Sequence, residues 1–450
     1  MKPNPIICLL ALLFFSQQSV AQRTVEDPEI SKMISEIKAV NLETTVKKLV
    51  SFGTRHTLSD TKSNSRGIGA AQRWVKSEFD KYATASNGRL TATIDFFDVK
   101  ADGRRIANDS KLANVMGTLK GTDANDNRVL IVSGHIDSRV TDVMDAKSDA
   151  PGANDDGSGV AAVMELAKIM SKRSYPFTII FVALTGEEQG LYGAKHLAEK
   201  AKSENWNIVA MLNNDMIGNS LSSGTNLRDN TKFRIFSEAT PYLETADEAK
   251  MRKLTNRDND SPSRLLARYI KSVTEQYVPQ LEVNLVYRND RFLRGGDHTP
   301  FSQNGFTAVR FCEMNENFDH QHQDLRTENA VKYGDLPEFM DFDYLRRITA
   351  SNLVTLANLA WSPNAPTAVG IEVKDLTNFS NLVWKAPEGK APYGYQVLIR
   401  ETSDAGWQKA IFVTDTKATI PYSKDNFLFA VQAVDELGHG SLPVFPIPVR

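Results

Sequence analysis

The chain contains, at residues 177–190, the stretch Phe177-Thr-Ile-Ile-Phe-Val-Ala-Leu-Thr-Gly-Glu-Glu-Gln-Gly190. Its first eight residues are mostly β-branched, aromatic or small and apolar, which is typical of a strand buried on both faces of a sheet. Two adjacent acids, Glu187 and Glu188, follow directly. Because two like charges at the mouth of a buried strand repel each other, this pair indicates a compensating cation. The stretch therefore predicts a central strand with a site at its carboxyl end.

Similar apolar runs flank this strand along the chain, and helical patterns separate them. Residues 129–133 and 208–212 are predicted strands, whereas residues 159–172 and 190–202 repeat apolar side chains at helical spacing. The alternation predicts an α/β fold of three layers, with a mostly parallel or mixed sheet and helices on both faces. Ligands of such sheets gather beyond the carboxyl ends of strands. His135 and Asp215 also follow predicted strands, so we expect them near the glutamates.

His135 and Asp137 are separated by one residue and should point to the same side of the chain, while Ile136 faces the core. A His with an Asp two residues later suits a metal ligand and a carboxylate that orients its ring, although a simple His–Asp pair in a loop is the alternative. The segment Asn154-Asp-Asp-Gly-Ser-Gly159 could be a turn and helix cap, but a cap uses one carboxylate and not two. We therefore assign Asp155 as a carboxylate shared between two cations.

Four motifs in this order resemble the co-catalytic dizinc exopeptidases of the bacterial leucyl aminopeptidase type. They are GHIDS around His135, PGANDDGSGV around Asp155, LTGEEQGLYGA around Glu187 and NNDMIG around Asp215. The resemblance runs from about residue 114 to residue 329. It implies two zinc ions, one held by His135 and Asp215 and one held by Glu188 and a late histidine, with Asp155 between them.

The same resemblance implies a mechanism in which the two zinc ions share a hydroxide and one of them takes the free α-amine of the substrate. Glu187, which binds no metal, acts as the general base and then protonates the leaving amine. The expected substrates are therefore the N-termini of peptides or proteins.

The late histidine is ambiguous, because the chain offers both His320 and His322 in Phe318-Asp-His-Gln-His-Gln-Asp324. The family ends its site with a His followed by an acid four residues later. His320 keeps this spacing to Asp324, which would support its ring. We therefore favour His320 as the metal ligand and keep His322 as the alternative, with the other histidine near the substrate.

Asp297 and His298, in Gly295-Gly-Asp-His-Thr299, resemble the Ser-Asp-His segment that the family places near its substrate pocket. The resemblance makes both residues candidates for substrate contacts. A loop cap formed by Asp297 and Thr299 is the alternative.

The composition is that of a soluble protein with room for more than one domain. The 450 residues are 41% hydrophobic and 24% charged, with a formal net charge of -2. A chain so close to neutrality, with no long run of Lys and Arg, has no general field to attract a polyanion, so nucleic acid is not an expected partner.

Residues 1–21 have the features of a secretory signal peptide, with Lys2, an apolar run from Ile6 to Phe15 and small residues before Ala21. Because the run is too short for a permanent span, we expect cleavage, a periplasmic or secreted protein and no remaining membrane span. Cys8 would leave with this segment, so the mature chain would have no internal disulfide. The other cysteine, Cys312, lies in an apolar run and is predicted to be buried.

The catalytic domain is predicted to span residues 22–361, followed by a Pro-rich linker at residues 362–367. Residues 368–450 contain short alternating runs at the spacing of an all-β sandwich. This part resembles a fibronectin type III module, with Trp384 in its core. Its expected partner is a protein or a glycan.

The sequence therefore predicts an exported zinc aminopeptidase. A carboxypeptidase or a glutaminyl cyclase on the same site is the first alternative, although a cyclase of this type works with one zinc ion and candidates for five ligands are present. A catalytically silent interaction protein is the second alternative, since related domains can lose their ligands.

Overall fold

An eight-stranded mixed sheet forms the centre of the protein in the computed structural model, which describes residues 26–450. The strands occur in the spatial order β1-β2-β4-β3-β5-β8-β6-β7. They are β1 (Leu90–Val99), β2 (Ser110–Leu119), β3 (Arg128–His135), β4 (Thr178–Leu184), β5 (Asn207–Asn214), β6 (Lys232–Phe236), β7 (Glu282–Val286) and β8 (Ala308–Glu313). Strands β4, β3, β5 and β8 run parallel to one another. Their carboxyl ends therefore share one edge of the sheet.

Helices cover both faces of this sheet, as the sequence predicts. They are α1 (Pro28–Glu36), α2 (Ala39–Val50), α3 (Ile68–Ala83), α4 (Gly157–Met170), α5 (Tyr192–Ser203), α6 (Ala246–Leu254), α7 (Pro262–Tyr277), α8 (His298–Gln303) and α9 (Phe342–Trp361). Apolar side chains of α1–α4, α7 and α9 form one continuous core with one face of the sheet. Helices α5 and α8 cover the other face. The predicted three-layer α/β fold is thus confirmed.

Two parts of this domain differ from the predicted elements. The pattern from Asp27 to Val50 predicts one helix, but the chain is extended at Ile37 and α2 begins only after Lys38. The apolar positions Ile37 and Leu42 are five residues apart, so a single helix could not bury both on one face. The polar composition and weak periodicity of residues 217–272 predict loops and short helices, yet these residues contribute strand β6 and most of the 16-residue helix α7.

The apolar pattern does not predict helix α7, because the buried face of this helix includes arginines. Arg264 and Arg268 are 2% and 1% exposed and interrupt the apolar pattern of Leu265, Leu266 and Ile270. The sequence does indicate where α7 begins, because Ser261 caps the helix and Pro262 is its first residue.

After Trp361 the chain forms seven strands in two small sheets. They are β11 (Thr367–Glu372), β12 (Ser380–Lys385), β13 (Gly394–Glu401), β14 (Lys409–Val413), β15 (Lys417–Ile420), β16 (Phe427–Val434) and β17 (Ile447–Val449). The short hairpin of β9 (Arg326–Glu328) and β10 (Val331–Tyr333) precedes them in the α/β part. One sheet has the order β15-β12-β11-β17 and the other β14-β13-β16. Trp384 is 5% exposed and packs edge-on against Tyr395 between them. The C-terminal part is therefore all-β, as predicted.

The predicted linker is held in place rather than free. Ser362 and Pro363 are buried, and their carbonyl oxygens accept hydrogen bonds from Arg128 at 3.2 and 3.1 Å. Cys312 is fully buried, as expected. The predicted signal peptide lies outside the described residues, and between residues 26 and 450 no helix is long and apolar enough to cross a membrane.

Candidate metal centre

Three neighbouring strands bring the predicted site residues together. Strand β3 lies between β4 and β5, and the three run parallel. His135 ends β3, Glu187 and Glu188 follow β4, and Asp215 follows β5. The strand ends therefore place one imidazole and three carboxylates at the same edge of the sheet, where the sequence predicted them.

Asp155 joins these residues from the loop before α4. Its Oδ1 lies 3.0 Å from His135 Nε2, and its Oδ2 lies 2.9 Å from His322 Nε2. The adjacent Asp156 has the other role that the sequence allows: its Oδ1 accepts from the Gly159 amide and caps α4, while its Oδ2 accepts from the His135 amide. The two neighbouring acids are thus divided between the cluster and the helix cap.

The side chains form two groups that share Asp155. The first group contains His135, Asp155 and Asp215, and the second contains Asp155, Glu188 and His322; within each group one ligand atom per residue lies within 4.8 Å of the others. Both groups offer nitrogen and carboxylate oxygen ligands of the kind that zinc prefers. The geometry therefore provides two adjacent candidate metal positions with one shared carboxylate.

His322 occupies the position for which the sequence favoured His320, and this expectation is corrected. The Nε2 atom of His322 lies 2.9 Å from Glu188 Oε1. His320 instead stacks on Phe339 at a ring-centroid distance of 3.7 Å and borders a small cleft beside Asp155. His322 has a left-handed φ of 55°, and no spacing rule in the sequence signals such a turn.

The sequence predicts that the Asp137 carboxylate orients the His135 ring, but this carboxylate has other partners. The Nδ1 atom of His135 lies 3.0 Å from the backbone carbonyl oxygen of Asp137 and 3.7 Å from its carboxylate Oδ1. The carboxylate instead accepts hydrogen bonds from the backbone amides of Gly186 at 2.9 Å and Glu188 at 3.1 Å, and from the Thr57 hydroxyl at 2.8 Å. The Asp137 side chain therefore fixes the loop that carries the two glutamates.

Asp324 does not support either late histidine. It is exposed, and its Oδ1 accepts from the Thr141 amide at 3.3 Å. The four-residue spacing from His320 to Asp324 lies in a turn. The side chains of both residues contact other partners there. The predicted role of Asp324 is therefore corrected.

Asp297 and His298 lie below the site rather than at its surface. Both are 0% exposed, which argues against the expected substrate contacts. His298 Nε2 lies 2.7 Å from the carbonyl oxygen of Asn289. Burial, together with the nearby carboxylates Asp137 and Asp215 and against the effect of His135, raises the pKa of Asp297 to about 8.

Three arginines surround the centre, and no sequence pattern predicts any of them. Arg55 is fully buried and donates to the carbonyl oxygens of Ile136 and Gly152 at 2.7 Å, which holds the Asp155 loop against β3. Arg310, also 0% exposed, contacts Asp215 Oδ1 at 2.8 Å. Arg139 contacts the second group. Buried arginines near carboxylates carry no local sequence signature, because their partners come from other strands.

Three ligand atoms make no hydrogen bond of good geometry within the described part of the chain, although two of them lie 2.9–3.0 Å from other ligand atoms. They are His135 Nε2, Glu188 Oε1 and Asp215 Oδ2, and all are buried. Buried polar atoms normally have partners, so these three indicate a group that they would hold. Since they belong to both clusters and come from imidazole and carboxylates, the residues fit a pair of zinc ions.

Glu187 stands beside the two clusters without belonging to either. Burial raises its pKa, and the nearby Asp215 and Glu188 add to this effect, whereas His135 opposes it. Its backbone amide lies 3.3 Å from Asp137 Oδ1, so the same carboxylate that positions Glu188 also positions Glu187. A carboxyl group that holds a proton more tightly than usual is suited to proton transfer.

Known proteins share both the sequence and the fold. The model of peptidase family M28 matches residues 114–341. A protein of Leptosphaeria maculans described as a probable zinc metalloprotease is 45% identical over 427 residues, which cover 95% of this chain and 98% of the relative.

Two solved structures are similar in fold at lower sequence identity. The LapA aminopeptidase of Legionella pneumophila is 20% identical, with a TM-score of 0.52 over 80% of this chain and 79% of that protein. The glutaminyl cyclase of Fimbriiglobus ruber is 17% identical, with a TM-score of 0.50 over 71% and 94%. At these identities the two structures support the α/β fold and leave the reaction open.

Proposed function

Because the chain belongs to peptidase family M28, we propose that it is a zinc aminopeptidase that uses two metal ions to remove N-terminal residues from peptides. One observation carries this proposal. The two clusters share Asp155, retain unpartnered ligand atoms on His135, Glu188 and Asp215, and leave Glu187 unligated beside them. This arrangement provides residues that can bind metal and leaves Glu187 available for proton transfer.

In the proposed assignment His135 and Asp215 would hold one ion, Glu188 and His322 would hold the other, and Asp155 would be shared by both. Zinc bound there would lower the pKa of a water molecule and stabilise negative charge on the scissile carbonyl. The Asp137 carboxylate accepts hydrogen bonds from the backbone amides of Glu187 and Glu188 and so fixes their positions. Arg55 keeps the loop of Asp155 against the end of β3.

Glu187 is the proposed proton carrier. It accepts a proton from the attacking water and delivers it to the leaving amine, which requires a carboxylate that is close to the centre but binds no metal. Its raised pKa reflects a buried position among acids, and bound cations would lower it toward the range of a base.

A peptide panel tests this function. Purified protein would be offered the same sequence with a free amino terminus, with a blocked amino terminus and with a blocked carboxyl terminus, with and without a zinc chelator. We expect cleavage of each free-amine peptide, including the one with a blocked carboxyl terminus, and loss of cleavage with chelator. Cleavage only of peptides with a free carboxyl terminus would contradict the proposal and indicate a carboxypeptidase.

A peptide with N-terminal glutamine separates peptidase from cyclase activity. An aminopeptidase releases glutamine and shortens the peptide, whereas a cyclase retains the residue and releases ammonia. The five candidate ligands favour the peptidase, since a cyclase of this type works with one zinc ion. A protein that binds no zinc and changes none of these peptides would instead be an interaction protein.

We also infer export, with cleavage after Ala21. The basis is the sequence of residues 1–21, with its apolar run and small-residue end. Amino-terminal sequencing of the mature protein from periplasm or medium is the test, and a start at Gln22 is expected. For residues 368–450 we infer a fibronectin type III-like module, because their seven strands pair in two sheets of four and three.

A further inference from the structure

The hairpin of β9 and β10 stands apart from the central sheet, directly after the segment that carries His322. Residues 324–332 are all exposed, and neither strand pairs with a third strand within residues 26–450. The three residue pairs of the hairpin are Arg326–Tyr333, Thr327–Lys332 and Glu328–Val331. The hairpin therefore has two free strand edges and no core of its own.

Both ends of the hairpin are fixed at the second candidate cluster, which consists of Asp155, Glu188 and His322. Before β9, the Nε2 atom of His322 lies 2.9 Å from Asp155 Oδ2. After β10, the carboxylate of Asp335 accepts a hydrogen bond from the Asp155 amide at 2.8 Å. The hairpin therefore begins and ends beside the carboxylate that two metal ions would share.

The connecting chain is short, which keeps both strand edges near the centre. Thr327 follows His322 by five residues, and Lys332 precedes Asp335 by three. Since an extended chain covers at most about 3.6 Å per residue, Thr327 lies within about 18 Å of His322, and Lys332 lies within about 11 Å of Asp335. A peptide that extends from the metal centre at about 3.3 Å per residue reaches either edge within about six residues.

The turn of the hairpin holds the two strands in a defined register. Asn329 and Ala330 have φ angles of 50° and 63°, both in the left-handed region, as in the two-residue type I′ turn. Ala is strained in this region, and strain of this kind is typical of functional sites. The Arg326 guanidinium lies 3.9 Å from the centroid of the Tyr333 ring and stabilises the pairing across the strands.

The pairing also decides which main-chain groups face outward. In a hairpin with a two-residue turn, the residues that flank the turn bond to each other, and the next pair directs its amides and carbonyls away from the partner strand. Glu328 and Val331 flank the turn, so the outward groups belong to Thr327 on β9 and to Lys332 on β10. Each edge therefore offers one N–H and one C=O to an added strand.

The composition of the hairpin favours a main chain as its partner. Its side chains are balanced in charge, since Asp324 and Glu328 oppose Arg326 and Lys332. A hairpin of two strands has little stability of its own, and an extended peptide that joins its edge adds main-chain hydrogen bonds whatever the sequence of the peptide. The occupant closest at hand is the peptide that the neighbouring metal centre would cleave.

We propose that one edge of the β9–β10 hairpin binds the substrate peptide as a third strand, at residues well beyond the bond that is cut. This inference rests on the proposed function and names its substrate class, which is extended peptides of about six residues or more. Shorter peptides contact the metal centre alone. Longer ones add two main-chain hydrogen bonds, at Thr327 or at Lys332.

The test measures kcat/KM of the zinc-loaded full-length protein for free-amine peptides of two, four, six, eight and ten residues that share one N-terminal dipeptide. For the unchanged protein we expect a rise of roughly five- to tenfold between four and eight residues, because two further hydrogen bonds form. The rise should come mainly from a lower KM, since these contacts are distant from the bond that is cut.

Thr327→Pro and Lys332→Pro each remove the outward N–H of one edge and leave the bonds within the hairpin in place. The variant at the edge that binds the peptide should lose most of the rise, and the other variant should keep it. Thr327→Val and Lys332→Gln are the matched controls. They change the same side chains but keep the amides, so the length dependence should match that of the unchanged protein.

Equal kcat/KM for short and long peptides in the unchanged protein, or an undiminished rise in both proline variants, would overturn the inference, while cleavage of the dipeptide would still support the proposed function. A changed molecular mass of a proline variant in light scattering, with the rise undiminished, would assign the edge to a second copy of the chain and overturn the inference as well.

A proline variant that fails to fold would also lose cleavage of the dipeptide, and the length series of the unchanged protein then decides. Absence of cleavage for every free-amine peptide would instead contradict the proposed function itself.

Discussion

The carboxylate of Asp137 accepts a hydrogen bond from the backbone amide of Gly186 at 2.9 Å, and this contact joins the end of β3 to the end of β4. The same side chain reaches the amide of Glu188 and the hydroxyl of Thr57. Asp137 therefore sets the distance between His135 and the two glutamates without belonging to either cluster.

Asp137→Asn should weaken metal binding and activity together. An asparagine would turn one oxygen into a donor that faces backbone amides, which leaves buried donors unpaired. We expect roughly 10- to 100-fold weaker zinc affinity and a loss of about 1–3 kcal/mol in unfolding free energy. Calorimetry and urea denaturation measure the two quantities. Asp324→Asn, at an exposed site, is the control and should change neither.

His322→Ala should bind one zinc ion where the unchanged protein binds two, because the second cluster loses its imidazole. His320→Ala should still bind two, since its ring stacks on Phe339 away from the clusters. Metal analysis after dialysis provides the count. Two ions in His322→Ala and one in His320→Ala would reverse the assignment.

Glu187→Gln should retain two zinc ions and lose turnover, because the amide cannot accept the proton. A decrease of roughly 10²- to 10⁴-fold in kcat, with little change in KM, is expected from loss of general acid–base catalysis. Steady-state kinetics on a free-amine peptide measure it. Glu204→Gln, placed where α5 ends, is a control of equal charge change. Full activity in the Glu187 variant would refute its role as the proton carrier.

Sequence patterns were sufficient for residues whose position follows from the ends of parallel strands. His135, Glu188 and Asp215 each directly follow an apolar run, and adjacency of the strands then brings them together. The patterns could not choose between His320 and His322, because the choice depends on a single left-handed residue in an irregular loop.

The buried arginines could not be predicted from the sequence for a related reason. A buried arginine is decided by partners that are distant in sequence, such as Asp215 for Arg310, so neither periodicity nor spacing marks it. The same holds for α7, where Arg264 and Arg268 occupy core-facing positions and hide the helical stripe. The observed site therefore differs from the predicted one in its charge pairs between residues that are distant in sequence.

The contribution of Asp335 to the stability of the metal-free protein should fall as the pH rises from about 4 to 7. Burial, together with the charge of Asp155, raises the pKa of Asp335 to about 7, against the effect of its backbone hydrogen bonds. The unfolded chain releases this proton near its usual pKa of about 3.9, so between the two values the folded state binds more protons. Stability contributed by the protonated group is then lost by at most about 1.4 kcal/mol per pH unit.

Asp335→Asn tests this dependence, because an amide does not titrate. Urea denaturation of the metal-free variant and of the unchanged protein, at steps between pH 4 and pH 8, should show that the unfolding free energy of the variant rises relative to that of the unchanged protein as the pH increases. An equal slope in both proteins would assign the pH dependence to other groups.

The last prediction concerns the contact between the catalytic part and the C-terminal sheets. Asp260 Oδ1 accepts from Arg268 Nη1 at 2.7 Å and from Arg400 Nη2 at 2.6 Å, and the three side chains are at most 2% exposed. Arg268 belongs to α7 and Arg400 to β13, so one buried carboxylate joins the two parts. Tyr269 adds a hydrogen bond to the carbonyl oxygen of Gly440 at 2.8 Å.

Asp260→Ala should destabilise the whole chain by about 3–5 kcal/mol, because it leaves two guanidinium groups buried without a counter-charge. Arg400→Met should be milder, since the pair of Asp260 and Arg268 remains neutral. Glu338→Gln removes the exposed partner of Lys332 and should change the unfolding free energy by less than about 1 kcal/mol. If the C-terminal sheets were an independent module, Arg400→Met would leave the unfolding of the catalytic part unchanged. A single shifted transition, read by both tryptophan fluorescence and loss of peptidase activity, is the outcome that the shared carboxylate predicts.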